Sequence, residues 1–318
     1  MKKLVALLMT VVMALPLCAC GGNGDAYTVG ICQLIQHPAL DAATEGFKEA
    51  LIEEFGEDGI KFDEQNAQGD SNTCATIING FVSSNDDLIL ANGTAALQAA
   101  AAGTDTIPVL GTSVTEYGVA LEISDFNGTV GRNISGTSDL APLDQQAAML
   151  NELFPDAKEV GLIYCSAEAN SQYQVDKVKE YLEKMGYNCT LYSFSDSNDL
   201  AAVTTSAVKA SDVIYVPTDN TVASNVEIIN NICLPAKVPV VAGEEGICSG
   251  CGAATLSISY HDLGAATGKM AARVLKGEAK IEEMPVEYAP QFTKKYNKEI
   301  CDELGIVIPD GYEEITAE

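Results

Sequence analysis

Apolar positions along this chain follow two alternating rhythms. Short runs rich in β-branched residues, spaced as strands, are followed by stretches in which apolar residues return every three or four positions, as on one helical face. Tyr27 to Leu34 reads as a strand. Leu40, Ala43, Phe47 and Leu51 then share a helical face, and Gly56 supplies a stop. The pattern continues with Ile60 to Gln65 (strand), Thr73 to Ser83 (helix), Asp87 to Ala91 (strand), Ala95 to Ala102 (helix) and Pro108 to Thr112 (strand). Strands separated by helical crossovers pair in parallel under a cover of helices.

The rhythm restarts after Arg132 to Asp139. Helices are expected at Asp144 to Leu153, Ser171 to Met185, Asp199 to Lys209 and Ala223 to Cys233, with strands at Val160 to Cys165, Cys189 to Phe194, Val213 to Pro217, Val238 to Ala242 and Ala254 to Ser259. A last helix, Asp262 to Lys276, ends before Gly277. The fold class is therefore α/β, with two successive doubly wound parallel-sheet units. In such sheets ligands bind beyond the carboxyl ends of the strands.

The first residues break this rhythm. Lys2 and Lys3 precede an apolar run from Leu4 to Leu17, then Cys18, Ala19, Cys20 and the glycines Gly21 and Gly22. A cationic start, a short apolar stretch and small residues before a cut are the marks of an export signal, and the run is shorter than the roughly 20 residues a spanning helix needs. Residues 1–19 are read as a signal and 20–25 as a tether. Leu17 to Cys20 resemble the lipobox of bacterial lipoproteins, which implies lipidation of Cys20, a better fit than Cys18 with Pro16 and the bulky Leu17 before it.

Composition then narrows the partners. With 18 basic and 45 acidic residues the formal charge is -27. Such a surface repels phosphate backbones and anionic headgroups, so no nucleic acid is expected and only a lipid would hold the protein at a membrane. Ten cysteines in an exported chain first suggest disulfides. Most are scattered through strand and helix patterns. Cys248-Ser249-Gly250-Cys251 is the one close pair, read as a loop disulfide or free thiols, since a lone CxxC without a further Cys pair or His is poor evidence for zinc.

The strand ends carry the polar chemistry. Asn92-Gly93-Thr94-Ala95-Ala96 opens a helix whose backbone N–H groups could hold an anion. Glu168, Asn170 and Ser171 follow one strand, Asp219, Asn220 and Thr221 another, and Glu244 and Glu245 a third. Each group also has a plainer reading as a helix cap or solvated loop charge. Carboxylates at neighbouring strand ends would share one cleft and suit an ammonium group.

Five segments, Gln33 to Asp41, Gln65 to Asp70, Gly136 to Asp139, Glu168 to Ser171 and Pro217 to Thr221, resemble the substrate-binding lipoproteins of ABC importers that include the tryptophan- and phenylalanine-binding TrpX-like proteins. The likeness covers nearly the whole mature chain. It implies a type I periplasmic-binding-protein fold with a three-crossover hinge, lobe one being 26–136 plus 260–286 and lobe two 137–259 plus 287–318. It also implies a small solute between the lobes, an ABC permease as partner, a monomer, no cofactor and no metal. Carried onto this sequence, the ligand residues from lobe one are Gln36, His37, Thr94, Ala95, Ala96, Ser113 and Thr115. From lobe two they are Glu168, Asn170, Ser171, Asp219, Asn220 and Glu245.

The sequence departs from the family at Thr94-Ala95-Ala96-Leu97-Gln98, Thr115-Glu116-Tyr117 and Glu244-Glu245-Gly246, all beside the implied pocket. A zwitterionic amino acid fits best, its carboxylate at a helix start with Thr94 or Ser171, its ammonium at Asp219 or Glu245. Trp is absent, so there is no evident stacking platform for a sugar; Tyr117 and Tyr164 are candidates to face an aromatic ligand, or else core. The competing readings are a nucleoside or sugar binder, a receptor presenting ligand to a membrane sensor, and an enzyme. Nucleophile-elbow, zincin, P-loop and dinucleotide motifs are absent. Of enzymes only a paired-carboxylate hydrolase built on Asp219 and Glu245 remains.

Overall fold

The structure is a computed structural model that describes residues 26–316. The expected signal, tether and lipidation site at Cys20 lie outside the described residues. Nine elements form the first unit: β1 (Tyr27–Gln33), α1 (Pro38–Phe55), β2 (Ile60–Asn66), α2 (Ser71–Ser84), β3 (Leu88–Asn92), α3 (Thr94–Gly103), β4 (Val109–Val114), α4 (Tyr117–Ala120) and β5 (Ile134–Ser138). The second unit runs α5 (Leu143–Leu153), β6 (Glu159–Cys165), α6 (Ala169–Lys184), β7 (Asn188–Phe194), α7 (Ser197–Ala207), β8 (Val213–Val216), α8 (Asn220–Ala223), α9 (Val226–Cys233), β9 (Val240–Ala242), α10 (Glu245–Cys251) and β10 (Ala254–Ser257). Then follow α11 (Tyr260–Leu275), β11 (Glu287–Tyr288), β12 (Thr293–Tyr296), α12 (Lys298–Leu304) and β13 (Glu313–Glu314).

Two sheets result. One has six strands in the order β11-β5-β4-β3-β1-β2, the other seven in the order β13-β12-β10-β9-β8-β6-β7. Pairing is parallel throughout except between β10 and β12. The chain passes between the sheets three times: after Ser138, after Ser257 and after Tyr288. The limit expected at 136/137 thus falls inside β5, and that at 286/287 just before β11, so each of these passages starts about two residues later than expected.

Alternation along buried strands feeds a helix layer on each face. In β3, Leu88 and Leu90 join the core under α1 and α11, whereas Ile89 and Ala91 join that under α2 and α3. In β8, Val213 and Tyr215 face one cluster and Ile214 and Val216 the other. Helices α1 and α11 touch backbone to backbone: a Cβ on Gly264 would overlap the Ala43 carbonyl, and one on Gly46 the His261 carbonyl. This contact fixes α11, which follows the second unit in sequence, onto the first sheet's helix layer.

Several expectations change. The helix expected over 223–233 begins only at Val226, as α9, and the separate turn of α8 ends at Ala223 before it. Ser224 Oγ donates to the Asn220 and Thr221 carbonyls, and Asn225 Nδ2 to the Thr221 carbonyl at 2.8 Å, so polar side chains take the acceptors that a continuous helix would use. The Cys248–Cys251 segment is not a loop and holds no disulfide. It lies on α10, where Cys248 Sγ donates to the Gly252 carbonyl and Cys251 Sγ to the Ile247 carbonyl, and both thiols are free and buried. The short elements β11 to β13 and α12 after Gly277 were not anticipated, being too brief to carry a period.

Candidate functional site

The expected residues gather where strands end. The turn after β1 is organised by Gln33, which sequence reasoning had placed in a motif but not in the site. Gln33 Nε2 donates to Asp41 Oδ1 at 2.6 Å, and Thr44 Oγ1 donates to Gln33 Oε1 at 2.6 Å. That arrangement sets His37 at the start of α1, buried, while Gln36 points into solvent.

His37 crosses the gap between the two units. Its Nε2 lies 3.2 Å from Asn220 Oδ1. Because the Asn220 amide N–H2 is committed to Glu168, its oxygen is the acceptor, so His37 donates from Nε2 and turns a bare, buried Nδ1 lone pair inward. Burial holds the imidazole below its ordinary pKa and hence neutral.

On the first unit, Gly93 with φ 104° lets α3 start directly after β3, and Thr94 and Ala96 are buried there with Ala95 half-buried. The first N–H groups of such a helix lack intrahelical partners. Ser113 is held at φ 53°, where a side chain is strained, and its buried Oγ has no partner. Thr115 is buried beside it. Tyr117 belongs to the core, donating to the Thr137 carbonyl at 3.1 Å, and Tyr164 packs inside the second unit.

The second unit contributes a dense carboxylate network. Glu168 accepts from the Asn220 and Thr221 backbone N–H groups, the Thr221 hydroxyl, Asn220 Nδ2 and Asn170 Nδ2. Asp219 caps α8 through the Val222 N–H at 2.9 Å and takes the Cys165 N–H at 2.7 Å. Ser171 and Asn170 are buried alongside. Burial and the neighbouring Glu168 carboxylate push the Asp219 carboxyl up to about 8, against the hydrogen bonds that pull it down.

Two further acids join them, Asp139, which the sequence showed only inside a motif, and Glu244, which it showed as one of the strand-end carboxylates. Asp139, just past β5, is pushed up to about 6 by burial, and its Oδ1 has no partner. Glu244 caps α10 through the Gly246 and Ile247 N–H groups and is pushed up to about 7 by burial, with Glu245 and Asp139 adding repulsion. Glu245, expected as an ammonium partner, is instead paired with Lys295 Nζ at 2.6 Å. None of the ion pairs among the described residues involves Asp139, Glu168, Asp219 or Glu244. The second unit thus gathers desolvated acids that no ion pair among the described residues balances, and the first unit contributes a helix start whose first N–H groups lack intrahelical partners.

Comparison with known proteins agrees with this geometry. The family model described as ABC transporter substrate binding protein matches residues 28–317. The chain belongs to that family. A tyrosine-binding protein from Clostridioides difficile is 38% identical over 263 residues, covering 81% of this chain and 75% of the relative. The solved ABC domain from Streptococcus pneumonia in complex with L-Trp is 33% identical, with TM-score 0.86, covering 91% of this substrate-binding protein and 100% of that chain. The ligand-free, open structure of a substrate-binding protein with adhesive properties from Clostridium difficile is 37% identical with TM-score 0.70, covering 92% and 100%. The fold is that of type I periplasmic binding proteins. The lobes here touch through His37 and Asn220, and the molecule superposes better on the ligand-bound structure than on the open one despite the latter's higher identity. The site residues belong to an extracytoplasmic substrate-binding protein of an ABC transporter, drawn closed. Among the described residues no helix is long and apolar enough to cross a membrane.

Proposed function

We propose that this substrate-binding protein captures a free amino acid, aromatic or otherwise apolar, between two closing lobes, and delivers it to the permease of an importer. The observation that carries the reading is the buried Asp219 carboxyl beside Glu168, neither of them in an ion pair among the described residues. A ligand ammonium placed there would return Asp219 to its ionised form and gain charge-assisted hydrogen bonds. His37 Nδ1, a bare acceptor, suits another ammonium hydrogen. The start of α3 with Thr94, Ala95 and Ala96, and the unpartnered Ser113 hydroxyl with Thr115, suits the carboxylate. That relatives are named for tyrosine binding and solved with L-Trp supports the same class. Cys20, lipidated, would hold the tether at the membrane, where more than one acyl chain gives a stable anchor.

A thermal-shift screen of residues 26–318 against amino acids, nucleosides and sugars tests the class. At a hundredfold excess over Kd a ligand adds about 2.7 kcal/mol, which raises Tm by roughly 5 °C in a chain of this size. L-tyrosine, L-tryptophan or another apolar amino acid is expected to give that shift. A shift with nucleosides or sugars and none with amino acids overturns the proposal.

A further inference from the structure

The sequence places Asn220 among the ligand residues, yet the structure gives its side chain two protein partners, one in each lobe. Asn220 Nδ2 donates to Glu168 Oε2 at 2.7 Å, and its Oδ1 lies 3.2 Å from His37 Nε2, with the side chains of Asn220 and His37 both buried. His37 stands at the start of α1 in the first lobe and Asn220 at the start of α8 in the second, so their hydrogen bond exists only while the lobes are together.

Each end is held by its own lobe. The His37 carbonyl accepts the Asp41 N–H at 3.0 Å, and Asp41 Oδ1 accepts from Gln33 Nε2 at 2.6 Å, which ties the start of α1 to β1. In the second lobe Glu168 accepts the Asn220 and Thr221 backbone N–H groups at 3.0 and 2.8 Å as well as the Asn220 amide. The amide therefore has one workable orientation. Turned over, its oxygen would face the Glu168 carboxylate, acceptor against acceptor, and its N–H2 would lose a charge-assisted bond. Burial keeps the imidazole neutral against the pull of Glu168 and Asp41. Meeting an oxygen, the neutral ring carries its proton on Nε2, which leaves Nδ1 an acceptor.

The donors then run in one direction, from Nε2–H to Asn220 and from Nδ2–H to Glu168. A solute N–H on Nδ1 would extend this chain, each bond polarising the next. A solute that put a carboxylate oxygen or an apolar group there would leave the buried Nδ1 without a donor, at the penalty of an unmade hydrogen bond.

We propose that Asn220 is a positioning residue acting through His37: it holds the imidazole as the Nε2–H tautomer only when the lobes meet, so that closure itself makes Nδ1 the acceptor that selects a solute carrying an N–H donor at that point. Asn220 thus contributes to selectivity without touching the solute. That the donor is the ammonium of an amino acid rests on the function proposed above; the tautomer does not.

Residues 26–318 contain two histidines, His37 and His261, so nitrogen-15 NMR of histidine-labelled protein reads each ring separately, and a His37→Phe variant assigns them. With L-tyrosine or L-tryptophan bound, wild-type His37 is expected as the Nε2–H tautomer alone, whereas Asn220→Ala shows both tautomers. Affinity is then compared for L-tyrosine and for its deaminated analogue, which keeps the ring and carboxylate and lacks the ammonium. Asn220→Ala is expected to weaken L-tyrosine about tenfold and to leave the analogue nearly unchanged. In the His37→Phe background the same substitution is expected to cost L-tyrosine nothing further. An Nδ1–H tautomer or an imidazolium in the loaded wild type, equal weakening of both ligands, or an undiminished further loss in the His37→Phe background overturns the proposal. If wild type binds neither amino acid, the function proposed above is what fails, and the ligand-free spectra decide the role of Asn220: a larger Nε2–H share in wild type than in Asn220→Ala upholds it, and equal shares overturn it.

Discussion

Asp219 shows how one residue carries two roles that its sequence context leaves undivided. Preceding a helix, it reads equally as an N-cap and as a ligand group. It is a cap, through Val222, but also a buried acid beside Glu168 whose carboxyl is pushed up to about 8. A carboxyl raised on folding contributes stability that is full below its unfolded pKa near 4 and lost as pH rises through about 8. Glu244 at about 7 and Asp139 at about 6 act in the same direction. The depressed acids Asp70, Glu152, Asp212 and Glu303 matter only as pH falls through and below the ordinary carboxylate range. The ligand-free Tm is therefore expected to rise as pH drops from 9 to 6, and Asp219→Asn to flatten the upper part of that rise while abolishing the ligand shift. Thermal melts across pH measure both. A ligand-free Tm that falls steadily over that range contradicts this account of the acid cluster. Glu245, by contrast, looks like an equal candidate in sequence, yet Lys295, fifty positions away on β12, takes its charge.

At the scale of elements, the long periodic segments were read within a few residues: α1, α6, α7 and the buried strands β1, β3, β6 and β8 lie close to where their apolar periods place them. Errors fell where side chains compete with the backbone, as Ser224 and Asn225 do between α8 and α9, or where an element is only two to four residues long, as β11 and β13 are. The α1–α11 contact has no signature in either helix alone, because Gly264 and Gly268 matter only when α1 is laid against them. Gly264→Ala should overpack this contact and lower stability by about 1–3 kcal/mol. Urea unfolding of the variant reads it; wild-type stability would show that the helices can separate at no penalty.

For the whole molecule, the acidic surface, the tether and the closing lobes form one arrangement. A chain of net charge -27 is repelled by anionic headgroups, so the attachment proposed above would depend on a lipid at Cys20. Cys20→Ser is expected to move the protein from the membrane fraction to the soluble fraction without changing the fold of residues 26–316, as judged by circular dichroism. Retention in the membrane fraction would mean that something other than the lipid holds it. The buried thiols take no part in this arrangement: those of α10 donate to carbonyls of their own helix region and are raised by burial far above the reactive range.

The amino-acid sequence by itself determined the alternation of strands and helices, hence two parallel sheets and a cleft at their carboxyl ends, because apolar periodicity and the burial of strand faces are local and repetitive. It also fixed the overall charge and offered Cys20 and the strand-end residues as candidates. Only the tertiary structure decided which acids remain without a cation, since Lys295 reaches Glu245 and none of the ion pairs among the described residues reaches Asp219, Glu244 or Asp139. It alone decided that His37 and Asn220 meet, and that the Tyr260 hydroxyl donates to Asp139. Those pairings join residues 50 to 183 positions apart, where what fixes the neighbour is the packing of whole helices and sheets and not the spacing along the chain.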